Sequence, residues 1–129
     1  MFLELLQVGV RYAGAAARPA VEGVSLGLIA GQIGVLIGPS GCGKTSLLRA
    51  VAGLEPVADG HIAIGGETVA DAARGVHVAP EARRIGMVFQ DYALFPHLSV
   101  AENVAFGIRH LPRGEQRERI ARMLDLVGL

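Results

Sequence analysis

The sequence predicts an α/β fold that opens on antiparallel strands and closes on helices. Three observations predict it: apolar and polar residues alternate near the N-terminus, a short apolar run gives way to a glycine-rich turn and then to helical spacing, and the last segment carries an apolar stripe flanked by charge pairs four residues apart.

The elements follow in order. Leu6, Val8, Val10 and Tyr12 alternate with Gln7, Gly9 and Arg11, the period of a strand with one buried face. Val24, Leu26 and Leu28 repeat the pattern around Ser25 and Gly27, so two early strands are expected to pair antiparallel. Residues 13–19 between them are small and flexible in composition and read as a loop. Residues 33–37 form a short apolar run, read as a buried strand. Leu47, Leu48, Val51 and Leu54 then fall at helical spacing up to Gly53, a C-terminal cap. Residues 61–64 and 67–69 flank Gly65 and Gly66, a hairpin signal. Residues 70–84 show no period and read as a loop, and residues 85–89 read as a second buried strand ending at Gln90. Ser99 with Glu102 makes a capping box, so a short helix is expected over residues 100–106, stopping at Gly107. Ile120, Met123, Leu124 and Val127 form the stripe of a last helix, whose Glu115/Arg119 and Glu118/Arg122 pairs face water.

Composition excludes several function classes. The 129 residues suit one domain or a piece of one, and 51% hydrophobic with 19% charged residues argues for a packed core over disorder. Twelve Lys and Arg balance twelve Asp and Glu, which removes the basic footprint of a nucleic-acid binder, so no nucleic-acid partner is expected. Eleven of those twelve cations are Arg, and the sole lysine is Lys44. Cys42, the only cysteine, forms no internal disulfide, which suits a reducing compartment. The N-terminus carries Glu4 in its apolar stretch with no basic residue before it, unlike a secretory signal. The most apolar region, residues 24–38, is interrupted by Ser25, Gln32 and glycines and is too short to cross a bilayer as a helix.

The lone lysine falls in a motif. Gly38, Pro39, Ser40, Gly41, Cys42, Gly43, Lys44 and Thr45 place two glycines five apart, then Lys, then a hydroxyl residue, between an expected strand and an expected helix. Glycines let successive N–H groups converge on phosphate oxygens, and a helix start adds unpaired N–H groups. Lys44 would neutralise β and γ phosphates, the Thr45 hydroxyl would ligate Mg2+, and Ser46 closes the phosphate-binding set. The bland alternative is a tight turn with an incidental lysine; the flanking strand and helix favour nucleotide binding. Cys42 reads as a small filler, with no base evidently placed to activate it. A GTPase would need an Asn-Lys-x-Asp motif, which a chain whose sole lysine is Lys44 lacks.

Residues 38–53, GPSGCGKTSLLRAVAG, resemble the Walker A loop and helix of the ATP-binding subunits of ABC importers, and residues 84–107, RIGMVFQDYALFPHLSVAENVAFG, resemble their Q-loop region. The similarity covers nearly the whole chain and is greatest to ferric-iron importer ATPases, with polyamine, sulfate and sugar importers close behind. It implies the N-terminal part of one ABC ATP-binding domain: an N-terminal antiparallel β-subdomain and P-loop NTPase core over residues 1–90, then the Q-loop and the start of a helical subdomain over residues 91–129. The core would be incomplete, because the LSGGQ signature, the Walker B Asp-Glu and the switch histidine of the family do not occur in the sequence.

The same resemblance implies ATP and Mg2+ as ligands, Tyr12 as the aromatic that stacks on adenine, and Gln90 as the catalytic residue that reaches Mg2+ and the attacking water. Taken alone, Tyr12 is an ordinary packing residue and Gln90 an ordinary surface one. The implied partners are an integral-membrane permease subunit docking on residues 92–98 (YALFPHL, bounded by Tyr92 and Leu98), a second ATP-binding subunit in a homodimer, and indirectly a periplasmic solute-binding protein. The alternative for residues 92–98 is a satellite core under a loop. The implied place is peripheral, on the cytoplasmic face of a bacterial inner membrane. The resemblance implies ATPase activity for the full-length protein, while this chain alone is expected to bind Mg-ATP without turning it over. A nucleotide-binding module without turnover is the competing function.

Overall fold

The computed structural model describes residues 1–13 and 19–129, so the expected loop over residues 13–19 lies almost wholly outside the described residues. The chain divides into two compact units, Met1–Met87 and Val88–Leu129.

In the first unit, β1 (Leu3–Val10), β2 (Val21–Leu28), β3 (Asp59–Ile64), β4 (Glu67–Asp71) and β5 (Val76–His77) form one sheet in the order β2-β1-β3-β4-β5. Every neighbouring pair is antiparallel, and the expected pairing of the first two strands is present, with Leu3 opposite Leu28 and Val10 opposite Val21. The β3–β4 hairpin closes through Gly65 and Gly66, whose φ of 59° and 83° give the two left-handed positions of a tight type I′ turn.

β1 departs from strict alternation. Leu5 and Val8 are both buried, whereas Leu6 is 48% exposed. The register against β2 shifts between Leu5 and Val8, and Gln7 has φ 51°, which marks a bulge. One extra residue swaps the faces, so Leu6, expected inward from its period, points out.

Helix α1 (Lys44–Ala52) lays Leu47, Ala50 and Ala52 inward, and Leu47 and Ala50 join Leu5, Val8, Val10, Val21, Ile62, Val69 and Ala70 in the core. Gly53 caps it in the left-handed conformation, as expected, while Leu48 lies on its outer face.

Two expected strands do not form. Residues 33–37 run extended without a ladder partner among the described residues, with Ile33 89% and Ile37 92% exposed. Residues 85–89 are likewise outside any strand. An apolar run becomes a strand only when a neighbour takes up its N–H and C=O groups, and the antiparallel sheet, edged by β2 and β5, offers these runs none. Residues 70–84 are also not the plain loop expected: β4 runs to Asp71, β5 pairs with it, and Pro80–Ala82 form a 3-10 turn.

That turn delivers Arg83, which the sequence reading passed over. Only 4% exposed, Arg83 donates from Nη1 to the carbonyls of Ala50 (2.8 Å) and Val51 (2.9 Å) and from Nε to Val78 O (2.8 Å). A buried guanidinium thus closes the C-terminal end of α1, where the helix dipole favours a cation. Burial pulls its pKa below the usual arginine value.

The second unit contains α2 (Val100–Ala105), a 3-10 turn (Phe106–Ile108) and α3 (Arg113–Leu126). The capping box is present: Ser99 Oγ accepts from Glu102 N at 3.3 Å and Glu102 Oε2 accepts from Ser99 N at 2.8 Å. Those bonds hold the exposed Glu102 carboxyl below the usual carboxylate range. The helical path continues through Gly107 as 3-10, one turn beyond the expected stop. On α3, Glu115 and Arg119 pair at 2.7 Å, while Met123 and Val127 of the expected stripe stay exposed. No helix among the described residues is long and apolar enough to cross a membrane.

Replacing Arg83 by Met leaves three carbonyls without their donor. Arg83→Met is expected to lower the unfolding free energy by about 2 kcal/mol in urea titrations. Arg83→Lys should recover only part of that, because a single ammonium cannot reproduce the planar fork.

Candidate functional site

The glycine-rich loop, residues 38–43, runs over the surface of the first unit and turns into α1 at Gly43. Gly43 is the N-cap, with φ 94°. A Cβ there would overlap the carbonyl oxygen of Ala20, so both conformation and space demand glycine. Gly41 also has positive φ, 78°, but open space around it.

Lys44, the first residue of α1, folds back into this loop. Its Nζ donates to Gly38 O at 2.7 Å and Pro39 O at 2.6 Å, and more weakly to Cys42 Sγ at 3.5 Å. An ammonium has three donors, so two are held by carbonyls and the third only by a weak sulfur acceptor. A phosphate oxygen can replace the sulfur while both carbonyl bonds persist. Cys42 therefore sits beside the lysine as a packing neighbour.

The helix start is equally available. α1 has no side-chain cap and no acidic residue in its first turn, and among the described residues nothing accepts from the N–H groups of Lys44, Thr45 and Ser46. An uncapped helix N-terminus beside a cation is an anion site. A cavity of about 400 Å³ adjoins it, lined among others by Val24, Leu36, Cys42, Gly43 and Lys44. The Thr45 side chain is exposed at this end and Ser40 lies on the loop's crest, also exposed. Tyr12, at the end of β1, is brought to the first turn of α1, where its Oη donates to Ser46 Oγ at 2.9 Å. The first unit thus gathers Tyr12 and residues 38–46 at one place. Gln90 belongs to the second unit and is exposed.

No cluster of three or more His, Cys, Asp or Glu occurs among the described residues. Mg2+ is usually held through one or two carboxylates together with phosphate oxygens and water. Thr45 offers an exposed hydroxyl oxygen in the first turn of α1.

A second constellation lies in the second unit. Asn103 on α2 accepts from Phe95 N at 2.9 Å and donates from Nδ2 to Leu98 O and Ser99 O, each at 3.0 Å, and to Phe95 O at 3.2 Å. The Phe95 ring lies 4.3 Å from that of Phe106, over which Arg109 stacks at 4.7 Å. The loop over residues 92–98 is pinned to α2, yet Tyr92 is 91% exposed and Leu94 is also exposed. Asn103 escaped sequence reading because a polar residue one past a capping box carries no periodic signal.

The profile of the ABC transporter family matches residues 21–129. The chain is 43% identical to the Fe(3+) ions import ATP-binding protein of Escherichia coli (strain K12), a match covering 99% of this chain and 35% of that protein. It is 49% identical to the spermidine/putrescine import ATP-binding protein of Pseudomonas fluorescens (strain Pf0-1), covering 86% of this chain and 30% of the relative. It superposes on the dimeric structure of MJ0796, a bacterial ABC transporter cassette, with a TM-score of 0.81 at 26% identity, over 98% of this chain and 57% of that one. The chain therefore spans about a third of the length of these curated relatives.

The two loop glycines separate conformation from space. Gly41→Ala is expected to cost about 1–2 kcal/mol for its left-handed φ alone. Gly43→Ala should cost more, because the Ala20 carbonyl must also move; chemical denaturation of the two variants side by side measures the difference.

Proposed function

The chain belongs to the ABC transporter family, and from that premise we propose that it is the Mg-ATP-binding part of the motor subunit of a bacterial importer. The observation that carries this reading is the loop over residues 38–46. It combines an uncapped helix start, a lysine whose third donor is only weakly occupied, and an exposed threonine hydroxyl.

In this reading the triphosphate lies along the N–H groups at the start of α1, and Lys44 holds β and γ oxygens. Thr45 gives Mg2+ a protein oxygen. Mg2+ held there would supply positive charge to the γ phosphate. Tyr12 would offer its ring to the adenine, and Gln90 is assigned, on the family resemblance alone, the role of reaching Mg2+ and the attacking water. In a full-length subunit these groups would support ATP hydrolysis, with a second ATP-binding subunit as partner. These 129 residues are assigned binding and not turnover; the alternative is a truncated or regulatory nucleotide-binding module without turnover.

Residues 92–98 are assigned to docking on a membrane permease, supported by Tyr92 and Leu94 standing exposed on a loop that Asn103 immobilises. That would hold the subunit peripherally at the cytoplasmic face of the membrane, with a periplasmic solute-binding protein acting from the other side. Ferric iron is the solute favoured, on the alignment of 99% of the chain with the Fe(3+) import relative. Polyamine, sulfate and sugar importers are the alternatives, supported by 49%, 46% and 47% identity over shorter alignments.

Calorimetric titration with Mg-ATP tests the site. Lys44→Ala is expected to weaken ATP binding about 10- to 100-fold, the worth of a charge-assisted bond to phosphate; unchanged affinity would refute the assignment. Leu94→Asp in the full-length subunit should leave ATP affinity unaltered while abolishing co-purification with the permease.

A further inference from the structure

Tyr12 does not hang free at the end of β1. Its Oη donates to Ser46 Oγ at 2.9 Å, across 34 positions of sequence. Ser46 sits in the first turn of α1, next to Thr45 and two residues past Lys44. Tyr12 as a residue remains 42% exposed, and its ring makes no aromatic contact among the described residues. Its tip is held while the residue stays accessible to a ligand.

We propose that Ser46 is a positioning residue: through its hydroxyl it fixes the Tyr12 ring beside the phosphate cradle, so that the site selects a nucleoside triphosphate over a bare triphosphate. The proposal rests on the reading of residues 38–46 as the nucleotide site. Phosphates bound at the start of α1 leave the rest of a nucleotide to extend from that first turn, and the only ring anchored to that turn among the described residues is that of Tyr12. A tyrosine side chain has two torsions to order on binding. Anchoring its hydroxyl orders the ring before the base arrives, which raises affinity for any ligand that stacks on it and does nothing for one without a base. The tether also leaves Ser46 chemically free. A hydroxyl accepting from Tyr12 keeps its own proton to donate to a phosphate oxygen.

The test compares Mg-ATP with Mg-tripolyphosphate by calorimetry on the 129-residue chain. Tyr12→Phe keeps the ring and removes only the tether; the ratio of ATP to tripolyphosphate affinity is expected to fall about three- to tenfold. Ser46→Ala should lower that ratio equally, the double variant should lower it no further, and Ser46→Thr should restore it. A ratio unchanged by either single variant, or losses that add in the double variant, would overturn the proposal. Wild-type chain that binds tripolyphosphate as tightly as ATP would also overturn it while leaving the phosphate site standing. Binding of neither ligand would overturn the nucleotide site itself.

Discussion

Helix α1 is closed at one end and open at the other, and the first unit is arranged around that asymmetry. At its C-terminus Gly53 and the buried Arg83 satisfy the final carbonyls. At its N-terminus nothing among the described residues accepts from the first N–H groups. Unsatisfied donors are tolerated there only because the loop is exposed to water, which is also what makes them reachable by a ligand. Arg83 acts on the open end by holding the helix in place and not through its charge. The nine residues of α1 span about 13 Å, and dipole effects fade within the terminal turn.

The same unit contains a conflict between composition and surroundings. Residues 33–37 are as apolar as a strand buried on both faces, yet they run extended with Ile33, Val35 and Ile37 exposed. Only the inner side is packed, where Leu28 lies close against Gly34 and Leu36 shares a cavity with Leu47 and Val51. An open apolar edge of this kind invites pairing with another strand. The segment leads directly into Gly38, so a strand pairing with it would also brace the glycine-rich loop from its N-terminal side.

Legibility in the sequence followed the range of the forces involved. The loop over residues 38–45, the Ser99–Glu102 capping box and the Gly65–Gly66 hairpin were readable because each is specified by residues a few positions apart. The fold class was readable too, since antiparallel alternation and helical stripes are local periods, and the superposition on an ABC cassette agrees with it. What failed depended on partners distant in the chain. Leu6 turned outward because of a bulge set by its pairing with β2 and β3. Arg83 reaches carbonyls 32 and 33 residues away, so no window of sequence reveals its burial. The apolar runs over residues 33–37 and 85–89 suggested buried strands by composition, yet Ile33, Val35, Ile37 and Val88 stand exposed and neither run is a strand; strand formation and burial are both decided by a neighbour, and periodicity cannot supply one.

The segment over residues 92–98 shows why its two sequence readings, satellite core and docking surface, are not exclusive. Phe95 belongs to a small cluster: its ring meets Phe106, which in turn carries the Arg109 guanidinium. Tyr92 and Leu94, within three residues of it, take no part in that cluster and stand in solvent. One asparagine makes the difference, because Asn103 accepts from Phe95 N and shares its Nδ2 donors among the carbonyls of Phe95, Leu98 and Ser99, fixing the backbone there. A loop held this way has little conformational entropy left to lose when a partner covers Tyr92 and Leu94. Affinity for a partner then depends on the apolar area those two side chains present, and the ordering cost that weakens most loop-mediated contacts is largely absent.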